Sequence, residues 1–184
     1  MKFYTFILLF LFCGCSNPNQ DLLDQIKANE QNESAPDFIS IEAFELLGSM
    51  NEPIDGELKF SFSKIEENDN ITAYRDQNSS LVMTTMGEEG KYSLIEIIMP
   101  LKDFMSEKKS DEGAVRFCHG ARRMAKAIDQ GMEAMVEKLV NDNIEKAIST
   151  KDGAFAAYKG MIIKFNCNTL GQVKFVNFVV GVPD

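Results

Sequence analysis

ARRMAKAIDQGMEAMVEKLVNDNIEKAI, residues 121–148, has an apolar residue at every third or fourth position over most of its length. This spacing is typical of a helix that buries one face, because one helical turn takes 3.6 residues. Gly131 weakens a helix by about 1 kcal/mol relative to alanine and indicates a bend or a close approach to the sheet. The stretch therefore predicts one long amphipathic helix that ends at Lys-Asp-Gly, residues 151–153.

The residues before this helix have the period of β-strands, apart from a short amphipathic helix predicted at residues 39–47 with Ser40 as its cap. Leu58, Phe60 and Phe62 alternate with polar residues, which places three apolar side chains on one face of a strand. Three more strands are predicted, separated by sequences rich in turn-forming residues: 71–75, 81–86 and 92–99. Together these strands predict an antiparallel meander.

Two further strands are predicted after the long helix, at residues 156–167 and 172–180, with a hairpin turn at 168–171. The last strand carries apolar residues on both faces, so we expect it inside the sheet. This order of elements predicts an α+β domain. Its architecture is an antiparallel sheet of five to six strands with one long amphipathic helix packed on one face.

The chain begins with Lys2, an apolar run at residues 3–12, and then Cys13, Gly14 and Cys15. One basic residue, a short apolar region and a small residue before a cleavage point characterise a secretory signal peptide. The run is shorter than the roughly 20 apolar residues that span a bilayer, so we do not expect a permanent transmembrane helix. The segment resembles the lipobox of bacterial lipoproteins, in which the cysteine after the cut is acylated.

That resemblance implies that the signal peptide, residues 1–14, is removed and that Cys15 becomes a lipidated N-terminus held on a membrane by several acyl chains. Ser16 follows it where Gram-negative lipoproteins retained at the inner membrane have Asp. The resemblance therefore implies the outer membrane, facing the periplasm, in a Gram-negative host. Residues 15–37 are polar and predict a flexible tether, and residues 38–184 form a single periplasmic domain.

The negative charge of the chain limits the classes of partner that it can bind. Its formal net charge is −9 at pH 7, and removal of Lys2 with the signal peptide makes the protein more negative. Nucleic acids bind proteins largely through Lys and Arg contacts to phosphate, so we expect no nucleic-acid partner. We expect the membrane to be contacted through acyl chains, and no sequence pattern calls for a cofactor or a metal.

Two cysteines remain after the signal peptide and the lipidated residue are set aside, Cys118 and Cys167. An oxidising compartment favours a disulfide between them. Closing a loop of about 49 residues would stabilise the fold by on the order of 4 kcal/mol. The alternative is two partly buried free thiols that act as small apolar side chains.

Sequence signals for catalysis are weak. His119 is the only histidine, which leaves one candidate general base and excludes a site with several histidine ligands. It adjoins Cys118, but neighbours on a helix point about 100° apart, so the two are not expected to act as a nucleophile and base. The chain has ten methionines, whose thioethers could bind copper. However, Met124, Met132 and Met135 lie on the apolar face of the predicted helix, where they are expected to fill the core.

A basic cluster stands out in this acidic chain. Four of its members fall on the predicted helix or just before it: Arg116, Arg122, Arg123 and Lys126. Guanidinium groups on one helical face can bind a carboxylate, a phosphate or an acidic loop of a partner. The alternative is a solvated helix face whose charges pair with the surrounding acids.

These features favour a lipid-anchored, non-catalytic module that binds an envelope protein or takes part in envelope assembly, in a pilot, assembly or immunity-type role. Two other classes remain open at this point. A carrier of a lipid or other apolar ligand would need a deep apolar cavity. A hydrolytic enzyme without a recognisable motif would need a cleft that gathers His119 with carboxylates.

Overall fold

The structure is a computed structural model that describes residues 35–54, 56–106, 112–149 and 153–183. The predicted signal peptide, the lipidation site at Cys15 and most of the predicted tether lie outside these ranges. The elements, in chain order, are α1 (Ala43–Asn51), β1 (Phe62–Asn68), β2 (Ile71–Asp76), β3 (Val82–Glu88), β4 (Lys91–Pro100), α2 (Leu101–Phe104), α3 (Glu112–Ile128), a 3₁₀ turn (Gln130–Met132), α4 (Glu133–Asn141), α5 (Ile144–Ser149), β5 (Ala154–Tyr158), β6 (Met161–Leu170) and β7 (Val173–Gly181).

The strands form one sheet in the order β1-β2-β3-β4-β7-β6-β5, and every neighbouring pair is antiparallel. The α+β class is therefore confirmed. The described residues contain seven strands, so the expected five to six is too low. The last strand, β7, pairs with both β4 and β6, which confirms the interior position predicted from its two apolar faces.

The extra strand arises from a turn that the sequence analysis missed. The stretch 156–167 is interrupted at Lys159 and Gly160, which have φ values of 47° and 75°. Two consecutive residues with positive φ form the tight hairpin turn whose twist matches that of paired strands. Residues Tyr158 and Met161 pair across it, so one predicted strand becomes β5 and β6. The next turn also lies later than predicted, between the paired residues Leu170 and Val173.

The predicted long helix is broken into α3, the 3₁₀ turn, α4 and α5. The break falls at Asp129, whose backbone is extended and whose Oδ1 accepts a hydrogen bond from the Gly131 N–H at 2.8 Å. Tyr158 donates to the same oxygen at 2.7 Å. A Cβ at Gly131 would meet the Tyr158 hydroxyl, so glycine allows a close approach to the sheet, one of the two roles predicted for it; the bend lies two residues earlier, at Asp129.

The core lies between the helices and one face of the sheet. From α3, Phe117 packs against Phe165 of β6 with ring centroids 6.0 Å apart. Gly120 brings α3 close to Leu81 and Ile97. Of the three methionines predicted to fill the core, Met124 and Met132 are buried and Met135 is partly buried. Met50, Met83 and Met99 are buried in the same layer.

The segment before β1 differs from the prediction at two points. Helix α1 begins at Ala43 rather than near Ser40, and the Glu42 backbone N–H donates to Glu45 Oε2 at 3.4 Å. Strand β1 begins at Phe62, although Phe60 is also buried. The Asn51 side chain bonds both the N–H and the C=O of Phe62, at 2.6 and 3.0 Å, and so joins the end of α1 to the start of the sheet.

Gly120→Ala is expected to destabilise the fold by about 1–3 kcal/mol, because overpacking a filled core strains it. The added Cβ would lie 2.8 Å from the buried side chain of Leu81. Gly48→Ala is the matched control, since Gly48 lies on α1 with nothing within 4 Å of its added Cβ. It should stabilise the fold by about 0.5–1 kcal/mol. Urea unfolding of both variants checks this; changes of the same sign in the two would contradict the packing assigned to α3.

Candidate functional site

The predicted basic cluster does not form a surface patch. Arg123 is only 5% exposed and points inward, towards the segment that joins α1 to β1. Its Nη1 donates to the carbonyls of Met50 and Glu52 at 3.2 and 2.6 Å, and its Nε and Nη2 donate to Glu57 Oε2 at 3.3 and 3.0 Å. A fifth bond reaches the carbonyl of Leu58 at 3.3 Å. Arg123 is therefore a structural clamp, because its planar fork of donors fits this array of oxygens.

Arg116 is also buried and lies two helical turns before Arg123. It donates to Asp76 Oδ2 at 3.3 Å and to the Lys59 carbonyl at 3.0 Å. The ring of Phe60 lies near both guanidinium groups, with its centroid 5.4 Å from that of Arg116 and 5.0 Å from that of Arg123. The two arginines share one face of α3, as the sequence predicted, but that face holds the chain rather than a ligand.

The other two members of the cluster are outside this clamp. Arg122 pairs with Glu133 of α4 at 2.8 Å, and its side chain is about one-third exposed. Lys126 is exposed. The four residues therefore do not form one exposed basic patch, because the side chains of Arg116, Arg122 and Arg123 are engaged by acids or carbonyls within the fold.

An open groove of about 260 Å³ lies between α3 and the α4–α5 pair, and we call it the α3 groove. Its apolar lining is Ala114, Val115 and Cys118 from α3, Val136 and Val140 from α4, and Ile144 from α5. Its polar lining is His119, Arg122, Glu137 and Asn141. The helix break at Asp129 creates it, since α4 turns back to pack beside α3. Val115 is 40% exposed, which leaves apolar surface open to solvent.

Two polar atoms on the wall of this groove lack a hydrogen-bond partner within the described part of the chain, His119 Nδ1 and Arg122 Nε. Glu57 Oε2 lies 3.8 Å from His119 Nδ1, which is beyond hydrogen-bond range. The Arg122 Nε–H can only donate. Both atoms are buried, so neither is offered to a ligand in the groove. The groove itself combines an apolar lining with a few polar side chains, an arrangement suited to an apolar segment that carries a polar group.

Cys118 lines the α3 groove, and burial raises the pKa of its thiol to about 11. A cysteine nucleophile needs the thiolate, and a raised pKa disfavours that form at neutral pH. His119 follows it in the continuous helix α3, where adjacent side chains point in different directions.

The predicted disulfide is corrected by the structure, in which Cys118 and Cys167 are free thiols. The reason lies in the face of α3 on which Cys118 lies. Phe117 and Gly120 take the side that meets the sheet, which turns Cys118 towards α4. Cys167 lies on β6 opposite Val176, and burial raises its thiol pKa as well. The alternative reading, two partly buried free thiols, is the one observed.

A second polar group, which sequence reasoning missed, lies on the sheet face away from the helices. Glu96 of β4 is 3% exposed and accepts a hydrogen bond from Asn177 Nδ2 at 2.6 Å. Burial raises the Glu96 pKa to about 7, although the bond from Asn177 and the charge of Lys164 both oppose the rise. The only signal in the sequence was a lone acid or amide in an apolar strand, as in LIEIIM (residues 94–99) and FVNFVV (residues 175–180).

Comparison with known proteins adds no assignment: no protein family, no curated protein and no solved structure matches the chain. Across the described ranges, no helix is both long and apolar enough to cross a membrane. A search of the same residues found no group of three or more His, Cys, Asp and Glu side chains that could hold a metal ion.

Arg123→Ala is expected to destabilise the fold by about 3–5 kcal/mol, because it leaves buried carbonyls and Glu57 without their partner. Lys126→Ala is the matched control on the same helix and should change the unfolding free energy by less than about 0.5 kcal/mol. Denaturant unfolding of both variants measures this. A loss of less than about 1 kcal/mol on Arg123→Ala would contradict the clamp.

Glu96 should make stability depend on pH. Its pKa is raised from 4.5 to about 7 in the folded protein, so both states are protonated below about pH 4.5 and only the unfolded state ionises as the pH rises from there. Stability should therefore fall between about pH 4.5 and 7, by up to about 3 kcal/mol from this group. Glu96→Gln should remove this component, as urea unfolding across that pH range would show. Parallel pH profiles for the two proteins would contradict it.

Proposed function

We propose that this protein is a lipid-anchored binding module of the bacterial outer membrane that faces the periplasm and docks a segment of another envelope protein without catalysis. The α3 groove carries this proposal. It is open, its lining is mainly apolar, and the polar side chains of Arg122, Glu137 and Asn141 also line it. The proposed location rests on the resemblance of the segment that ends at Cys15 to the lipobox of bacterial lipoproteins.

The chemistry of the groove defines the segment that would fit. Val115, Val136 and Val140 offer apolar contact, while Arg122 and Asn141 offer hydrogen bonds at the polar positions. An amphipathic helix or short loop with apolar anchors and one carboxylate or carbonyl meets both requirements. A contact of this kind is compatible with the pilot, assembly and immunity-type roles predicted from the sequence.

The packing of the interior favours docking over carriage of a lipid. The layer between α3 and the sheet is filled by fully buried side chains, among them Phe117, Met124, Ile97 and Phe165. The α3 groove lies on the other side of α3 and is open, whereas a carrier encloses most of its ligand. A lipid carrier is therefore the second choice.

Crosslinking in cells tests the proposal. A photoreactive amino acid at Val115 or at Asn141 should capture the same protein, because both positions line the groove. The same probe at Lys126, which is exposed on α3 but outside the groove, is the control and should not capture it. Val115→Glu should reduce capture from position 141 at least about tenfold, since a charge would be placed on an apolar contact.

Two outcomes would overturn the proposal. Equal capture from position 126 would mean that contact is not through the groove. Capture of lipid alone would favour the carrier. Anchoring is tested separately: Cys15→Ser should move the protein from the membrane fraction to the soluble periplasm with an unchanged fold, whereas Cys13→Ser should leave it on the membrane.

A further inference from the structure

The two edge strands of the sheet differ in how well they are protected against pairing with another chain. At one edge, β1 carries Lys64, Glu66 and Glu67 and contains a bulge between positions 64 and 66. The Asn51 side chain also occupies both backbone groups of Phe62 at the start of this strand. Charges, bulges and covered backbone groups are the features that prevent an edge strand from pairing with another chain.

The opposite edge, β5, differs from β1, although Ala35 and Pro36 lie against Gly160 in the turn at its end. Its sequence is AFAAY, without charge or proline, and it pairs with β6 in unbroken register. Tyr158 and Met161 close the two-residue turn, so hydrogen bonds to β6 come from Tyr158, Ala156 and Ala154. The N–H and C=O groups of Phe155 and Ala157 point away from the sheet and have no partner within the described residues.

We propose that β5 is a self-pairing edge, at which two copies of this chain join antiparallel strands across a two-fold axis at Ala156. This register places Phe155 opposite Ala157 of the second copy and Ala154 opposite Tyr158. A large side chain then meets a small one at each of these pairs, and the central pair places Ala156 against its own copy. The match is symmetric, as an isologous dimer requires, and it brings no like charges together.

The contact is small. Phe155 and Ala157 each form a hydrogen-bonded pair with the other copy, giving about four backbone hydrogen bonds. A contact of this size belongs to weak association that depends on concentration. The joined sheet would have a protected β1 strand at both outer edges, so assembly would stop at two copies.

Sedimentation of the full chain across a range of concentrations tests this. The wild-type protein should show a monomer–dimer equilibrium. Ala157→Pro removes an outward N–H without touching a bond to β6, so it should be monomeric with a melting temperature close to that of the wild type. If that variant misfolds, Ala157→Lys places a charge at the same edge and should also be monomeric. A wild-type monomer at every concentration, or a dimer that survives both substitutions, would overturn the proposal.

Disulfide trapping fixes the register. Ala156 would lie opposite Ala156 of the second copy. This is a non-hydrogen-bonded pair of the antiparallel ladder, in which the two Cβ atoms are close together. Ala156→Cys should therefore form an intermolecular disulfide on mild oxidation. Ala157→Cys would face Phe155 and should form much less, and the wild-type chain gives the background from its own thiols. Equal trapping at positions 156 and 157 would overturn the proposed register.

Discussion

The structure depends on the buried guanidinium of Arg123. Its donors bind the carbonyl of Met50 at the end of α1 and, from the segment between α1 and β1, the carbonyls of Glu52 and Leu58 and the carboxylate of Glu57. A segment without regular structure leaves carbonyls unpaired, and a buried charge is tolerated only when it is fully bonded. The carbonyls therefore provide the acceptors that the buried guanidinium needs, and the guanidinium provides the donors that the carbonyls need. Arg116 repeats the arrangement towards Asp76, and Phe60 lies between the two charged groups. Together they hold α1, α3 and the start of the sheet as one unit.

The break in the helical layer has a comparable effect on the surface. At Asp129 the helix stops, because the carboxylate bonds the Gly131 N–H, the Tyr158 hydroxyl and the Lys159 ammonium at 2.7 to 2.8 Å. These partners hold the Asp129 pKa down at about 2. The break turns α4 back along α3 and opens the α3 groove. The strand β5, which ends at Tyr158, lies next to this junction. The same short connection therefore influences both surfaces that we propose for binding.

The candidate site was only partly predictable. Arg116 and Arg123 were correctly placed on one face of a helix, yet their partners are carbonyl and carboxylate oxygens at least forty positions away in the chain. No local pattern indicates such partners, so a basic cluster could not be distinguished from a clamp. The same holds for Cys118, whose orientation depends on Phe117 and Gly120 packing against the sheet. Glu96 carried a weak signal, a single acid in an apolar strand, whose partner Asn177 lies on a strand that is adjacent only in space.

The sequence by itself determined the α+β class, the meander, the interior position of β7, the close approach at Gly131 and the role of methionine in the core. These follow from residue periodicity and from glycine, which act over a few neighbouring residues. Only the tertiary structure decided that the arginines point inward, that the two thiols stay apart, and that a groove opens beside α3. Those features depend on contacts between residues distant in the chain, where packing and the pairing of buried polar groups select one arrangement from many that local pattern allows.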